Sequence, residues 1–372
     1  MKKLLVIAFT LAALRAVAAD ITLQGTIGKY PVVMNISTDD DGTCNAKYFY
    51  TSALHDIYLE GKATNTTFSF SAETYDASGK STGTERFSLT EGAKHNFTGT
   101  WKSGKGKVLP VALHPAVAGA AKNPFLKYSA VHEADDYDLL RSAEMKIIKD
   151  STGKRGPYTL SYIHIAHSQV GIMQFTTGPD MPALNKINDM LMEKFITYTM
   201  QDFSCEVDNY YFTGPFIRSN VFSTDIFTSY YCNGTAHPDF GDDAVNINLR
   251  TGKEMKLGDV LYISDVAEPD EKKEYDAWSN YRKKVLAPKI MDLLRALHPA
   301  EMKTAQEDDT SCNYNTPDVW EFAPWFFTDT GLYISPDFPH VAGPCRNPDW
   351  SLIPYTEMKK YRKPRSGIDL SE

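Results

Sequence analysis

Leu184-Asn185-Lys186-Ile187-Asn188-Asp189-Met190-Leu191-Met192-Glu193-Lys194-Phe195-Ile196-Thr197-Tyr198 carries large apolar or aromatic side chains at positions 184, 187, 191, 195 and 198. Steps of three and four residues put them on one face of an amphipathic helix. The flanking sequence has another rhythm. Residues 159–165 and 171–176 before it, and 221–231 and 244–249 after it, are rich in Ile, Phe, Thr and Tyr and read as strands. A helix set among antiparallel strands, with Arg250-Thr251-Gly252-Lys253 as a hairpin turn, predicts an α+β domain.

Towards the C-terminus, residues 274–297 predict a second helix with Trp278, Tyr281, Val285 and Leu286 inward, kinked or divided by Pro288. Strands at 331–334 and 350–353 follow, and Pro354-Tyr355 leads into a last short helix. Towards the N-terminus, residues 21–113 hold only short β-like segments with turn signals every 8–12 residues or so. Val32 to Ile36, Phe68 to Ala72, Phe97 to Trp101 and Val108 to Leu113 are the clearest. They predict a small antiparallel, barrel-like all-β domain over 19–118, with residues 114–123 as linker.

The first residues give an address. Lys2 and Lys3 precede the apolar run 4–14, and Ala16-Val17-Ala18-Ala19 supplies small residues for cleavage near Ala18 or Ala19. This is the pattern of a signal peptide over 1–18, and the run is too short for a membrane anchor. The expected location is the periplasm or the exterior. Removing Lys2, Lys3 and Arg15 takes the formal charge from −8 to −11. An acidic chain of this kind is not expected to bind nucleic acid. The 372 residues, 42% of them hydrophobic and 23% charged, are enough for two to three folded domains.

Export also governs the five cysteines, 44, 205, 232, 312 and 345, because an oxidising compartment favours disulfides. Neighbour pairing predicts Cys205 with Cys232 and Cys312 with Cys345, each closing a loop worth roughly 3–4 kcal/mol in the chain-entropy model. Cys44 is then left over, and a buried inert thiol is its expected state.

Familiar catalytic signatures fail one by one. The stretch 99–105 has the glycines and lysine of a phosphate loop, but Gly106 stands where a hydroxyl is required. Ser151-Thr152-Gly153-Lys154 has the spacing of a serine–lysine acyl enzyme, yet Gly153 and Gly156-Pro157 predict a loop there. There is no G-x-S-x-G elbow. His164 and His167 fall on opposite faces of a strand, and the other histidines are scattered, so no metal site is expected. Acidic pairs such as Asp242-Asp243 and Asp308-Asp309 leave a glycosidase-type carboxylate pair open. No catalytic residue and no cofactor is assigned.

One stretch is more distinctive: Tyr230-Tyr231-Cys232-Asn233-Gly234-Thr235-Ala236-His237-Pro238, then Asn246-Ile247-Asn248-Leu249-Arg250-Thr251-Gly252-Lys253, then Leu257-Gly258-Asp259-Val260-Leu261. It resembles the C-terminal domain of the lysozyme-sensing anti-sigma factor RsiV, a domain also found beside the catalytic domain of some peptidoglycan deacetylases. The stretch 326–355 resembles that family's closing part. The RsiV-like domain would cover 126–362, with 126–215 as its smaller half and 216–362 as the motif-bearing half. The sequence departs from the family at Thr235, where a second glycine is usual, and at Cys345 and Arg346, which replace apolar residues. The N-terminal region is similar to a small β domain common in exported Gram-negative proteins, and no activity follows from that.

The resemblance implies binding by loops. It makes the expected function that of an exported envelope protein, not an enzyme, that recognises a lysozyme or other muramidase as inhibitor or sensor module. Two alternatives stand beside it: an enzyme or accessory factor acting on peptidoglycan, and a structural or interaction protein of the envelope. Irregular, proline-bearing loops at strand ends provide the candidate binding residues: Ala236, His237, Asp239 and Phe240 in one, and Asp337, Phe338 and His340 in the other. Phe240 and Phe338 are read as exposed anchors beside acidic residues that steer a cationic partner.

Overall fold

The computed structural model describes residues 19–75, 80–116, 123–303 and 312–363. The signal-peptide segment, most of the expected linker and the Asp308-Asp309 pair lie outside the described residues.

Eight strands open the chain: β1 (Ala19–Ile27), β2 (Tyr30–Thr38), β3 (Thr43–Tyr50), β4 (Ile57–Thr64), β5 (Thr67–Tyr75), β6 (Ser81–Glu91), β7 (Phe97–Lys102) and β8 (Val108–Pro115). Each is antiparallel to the next, and β1 pairs back onto β8, so the sheet closes into a barrel with no free edge. Eight strands leave an interior just wide enough for side chains. Leu23, Met34, Tyr48, Phe70, Phe87, Phe97 and Leu113 fill it. Glu85 also points inward, where its carboxylate accepts bonds from Tyr48 Oη at 3.2 Å and Trp101 Nε1 at 2.8 Å. Burial raises its pKa and these two donors oppose the rise.

Two short helices follow, α1 (Ser129–His132) and α2 (Asp136–Glu144), the second capped by Asp135, whose carboxylate accepts from Asp138 N. Because α2 packs on β1 and β2, the first compact unit runs to Lys146, beyond the 118–126 interval read as its end. Residues Thr199–Ser204, farther along the chain, belong to it as well. Inside this unit the buried Arg141 pairs with the buried Asp56. It stacks over the rings of Phe49 and Tyr137 and reaches Ser204 Oγ at 3.2 Å.

The second unit begins with β9 (Ile147–Arg155), β10 (Tyr158–Ile165) and β11 (Gly171–Thr177), a sheet in the order β11-β10-β9. The loop expected at Ser151 to Lys154 is therefore strand, with Gly156-Pro157 as the hairpin turn. Every residue of β9 is exposed, so it has no apolar alternation to read. Ser151 and Lys154 stand on opposite faces, which removes the acyl-enzyme geometry.

Helix α3 (Met181–Ser204) buries the expected face through Leu184, Ile187, Leu191 and Phe195. Asn188 brackets the backbone of Phe175 with two 2.8 Å bonds, which seats the helix on β11. Then come β12 (Glu206–Phe212), β13 (Phe216–Arg218), β14 (Val221–Tyr231), β15 (Asp239–Asn248) and β16 (Lys253–Glu254), ordered β12-β14-β15-β16 with β13 beside β14. Lys194 and Tyr198 of α3 bond Asp243 of β15 at 2.7 and 2.8 Å.

Short α4 (Leu257–Val260) leads to α5 (Tyr275–Tyr281) and α6 (Ala287–Leu297), joined by a π turn, Arg282–Leu286. The break expected from Pro288 takes this form: the proline sits in the first turn of α6, where its missing N–H costs nothing. The last sheet, β17 (Trp325–Phe327), β18 (Gly331–Ile334) and β19 (Leu352–Pro354), ends in α7 (Tyr355–Tyr361). Ser223 and Asn246 bond the backbone of β17 and fix this sheet to β14 and β15. Leu294, Trp320, Leu332 and Ile353 share one apolar core beneath them.

The fold is thus a closed eight-stranded antiparallel barrel followed by an α+β domain with helices packed on antiparallel sheets. Cys205 is bonded to Cys232 and Cys312 to Cys345, while Cys44 is a free, buried thiol. Two disulfides fit an oxidising compartment. Among the described residues no helix is long and apolar enough to cross a membrane.

Candidate functional site

Strand β14 ends at Tyr231, and the turn to β15 holds Cys232, whose disulfide to Cys205 pins the start of this loop. Gly234 takes a left-handed backbone (φ +84°), and Ala236 and His237 are exposed. His237 precedes a proline, which holds it extended. Asp239 opens β15 opposite Tyr230, whose hydroxyl donates to it at 3.0 Å.

The other loop arrives from β18. Asp337 takes a bond from Arg346 Nη2 at 2.8 Å, and a 3-10 turn spans His340–Cys345. The disulfide from Cys345 to Cys312 anchors the end of that turn. The two loops meet. His340 Nε2 bonds the Asp239 carboxylate, and its ring packs edge-on against Phe240 at 4.6 Å and beside His237 at 5.1 Å. Arg346 lies over the opposite side of the cluster, 5.3 Å from the Phe240 ring centre. Gly343 is required here, since a Cβ at that position would stand 2.8 Å from Phe240 Cζ.

Six of the seven expected residues are thereby brought to one surface, and Phe338 is the exception. It is buried, 7% exposed, and packs edge-on against Tyr314 at 5.4 Å. The exposed anchor expected there does not exist. Phe338 serves the core, while Val341, three residues on and 91% exposed, presents the apolar surface. Phe240 is half-buried, with one face on Phe227 at 6.4 Å.

Beneath the surface lies an acid pair that sequence reading missed. Asp225 of β14 and Asp242 of β15 act on each other electrostatically, Asp225 Oδ1 is buried without a hydrogen-bond partner among the described residues, and Asn347 donates to Asp242 at 3.0 Å. Asp225 is 4% exposed. Burial first, and then the charges of Asp242 and Asp243, push its pKa up to about 8, which favours its protonated form at neutral pH. Asp242 is also raised by burial, against the pull of Asn347 and Arg346. On top, partial desolvation of Asp239 is outweighed by the donors Tyr230, His340 and Phe240 N, which lower its pKa. Arg346 was visible in the sequence only as a departure from the family pattern, and Asp225 only as a lone acid inside an apolar strand.

No protein-family model matches the chain, and no curated protein matches it. Among solved structures, the chain is similar to a member of the DUF3298 family from Bacteroides fragilis, with a TM-score of 0.33 and 12% identity over 59% of this chain and 94% of that one.

Chemically, the cluster offers a fixed carboxylate, an aromatic edge and an exposed aliphatic tip on a rigid base. Its polar groups bond to one another, which holds the cluster in one arrangement. Among the described residues no group of three or more His, Cys, Asp or Glu is placed to hold a metal ion.

Proposed function

We propose that this protein is an exported, non-enzymatic binding protein of the cell envelope. Its surface around Asp239, Phe240, His340 and Val341 recognises a cationic muramidase of the lysozyme type, as an inhibitor or sensor module. The convergence of the two loops, 101 residues apart at Asp239 and His340, carries this reading. Two further points support it. The motifs in 230–261 resemble a domain that grips lysozyme, and a formal charge of −11 after leader removal favours encounter with a cationic protein.

Titration of c-, g- and i-type lysozymes into the mature protein tests the reading. Wild type binds at least one class, and Phe240→Ala, checked for folding, weakens it about tenfold or more, as for a central anchor. Absence of binding to all three classes would retire the proposal. Binding that Phe240→Ala and Val341→Ala both leave intact would keep the partner and move the site.

A further inference from the structure

A second feature of the α+β domain is unrelated to the loop cluster. A cleft of about 420 Å³ opens between β16 and the segment before α5. Its floor is apolar, made by Met255, Leu257, Leu286, Ala323 and Trp325, and Trp278 forms a wall. Trp278 is the centre of a row of rings, with Tyr275 at 5.7 Å on one side and Phe322 at 5.6 Å on the other. The two outer rings are left in solvent, 61% and 42% exposed. Together the three rings form a contiguous aromatic patch beside the cleft, the kind of surface that marks a binding site.

The charges around the cleft narrow the ligand. Arg282 and Glu268 neutralise each other at 3.1 Å, and Arg282 lies 5.2 Å from the ring centre of Trp278 and 5.5 Å from that of Phe322. Lys256 is turned onto the carbonyls of Glu268 and Pro269 at 3.3 and 2.9 Å, which holds the wall segment in place. At the rim, Glu254, Asp270 and Glu271 alternate with Lys256 and Lys272. Such a rim supplies hydrogen-bond donors and acceptors with little net charge, so neither a polyanion nor a polycation is favoured. An uncharged ligand rich in hydroxyls, with apolar faces to lay on rings, satisfies both the rim and the aromatic row. The volume is that of a small-molecule site.

We infer that an oligosaccharide binds at this cleft, laid on Trp278 in its wall and on the exposed Tyr275 and Phe322 beside its mouth, and hydrogen-bonded by the mixed rim. The site stands apart from the loop cluster and does not depend on the muramidase reading.

The test is calorimetric and fluorescence titration of the mature protein with chitotetraose and cellotetraose, with a lysine tetrapeptide as the charged comparison. At least one sugar binds saturably, the peptide does not, and Tyr275→Ala and Phe322→Ala each weaken sugar binding by about fivefold or more. Both rings are exposed, so the variants are expected to fold, and Glu254→Ala at the rim is a third probe that touches no core. Phe240→Ala leaves sugar binding unchanged, which separates this site from the loop surface. No saturable binding of either sugar, binding of the peptide alone, or sugar binding unaffected by all three cleft variants would overturn the inference.

Discussion

His340 closes onto Asp239 across 101 residues of chain, and that bond helps join the loop after β14 to the loop after β18. Both groups are partly open to water, 35% and 51% exposed, so the pair adds only about 0–1 kcal/mol to folding. Its effect is on shape. With His340 drawn to Asp239, the ring of Phe240 is held edge-on and Val341 is left at the crest.

A double-mutant cycle of His340→Ala and Asp239→Ala is therefore expected to show little coupling in urea unfolding and clear coupling in lysozyme affinity. If stability carried the coupling and affinity did not, the pair would be a fold element and not part of a contact surface.

The Asp225–Asp242 pair gives a pH signature. In the fold Asp225 holds its proton up to about pH 8, against an ordinary value of 3.8. Between those values the folded chain binds more protons than the unfolded one. Its contribution to stability is complete below pH about 4 and is lost as pH rises through about 8, at up to about 1.4 kcal/mol per pH unit. Asp225→Asn keeps a donor towards Asp242 and removes the titration. Urea midpoints at pH 5 and pH 8 should fall apart more in wild type than in the variant; equal differences would mean that Asp225 is ionised in the fold.

Much of the scaffold was legible because periodicity reports burial. The face 184–198 recurs at helical steps and the barrel strands alternate against a core, while strand 221–231, buried on both sides over its first half, was legible from its aromatic and β-branched content; each is found where its sequence puts it. Strand β9 was illegible for the same reason, since all of its residues face water. In the site, the loops could be named from proline and turn chemistry, but not that His340 would reach Asp239. Nor could Phe338 be told from Val341, because which residue of an irregular turn faces inward is fixed by Tyr314 and the Cys312–Cys345 bond, not by local sequence.

Arg141 is the most consequential side chain of the first unit. It is fully buried, and so is its partner Asp56, which also accepts from Tyr137 Oη at 2.5 Å. Removing one partner leaves an uncompensated charge in a low-dielectric site. Arg141→Ala is expected to cost about 3–5 kcal/mol, and Arg141→Lys to recover only part because it cannot reach Asp56 and Ser204 together. Denaturant unfolding of the two variants measures this. A loss under about 1 kcal/mol for Arg141→Ala would show that water enters the site.

The cysteines allow the covalent framework and the barrel to be tested at once. Four of the five are in disulfides, and Cys44 is enclosed by the barrel at 0% exposure. Burial pushes its thiol up to about 11, so the closed barrel holds no reactive thiolate at neutral pH. The native mature protein is therefore expected to give no thiol with Ellman's reagent, and one per chain in guanidinium. Labelling of Cys44 should then follow global unfolding, because the closed barrel has no edge from which to fray. A Cys44→Ala variant would give none under either condition and would lose stability through the cavity left inside. Fast labelling of the native wild type would mean that the barrel opens locally at β3, and three thiols in guanidinium would mean that one of the two disulfides does not form.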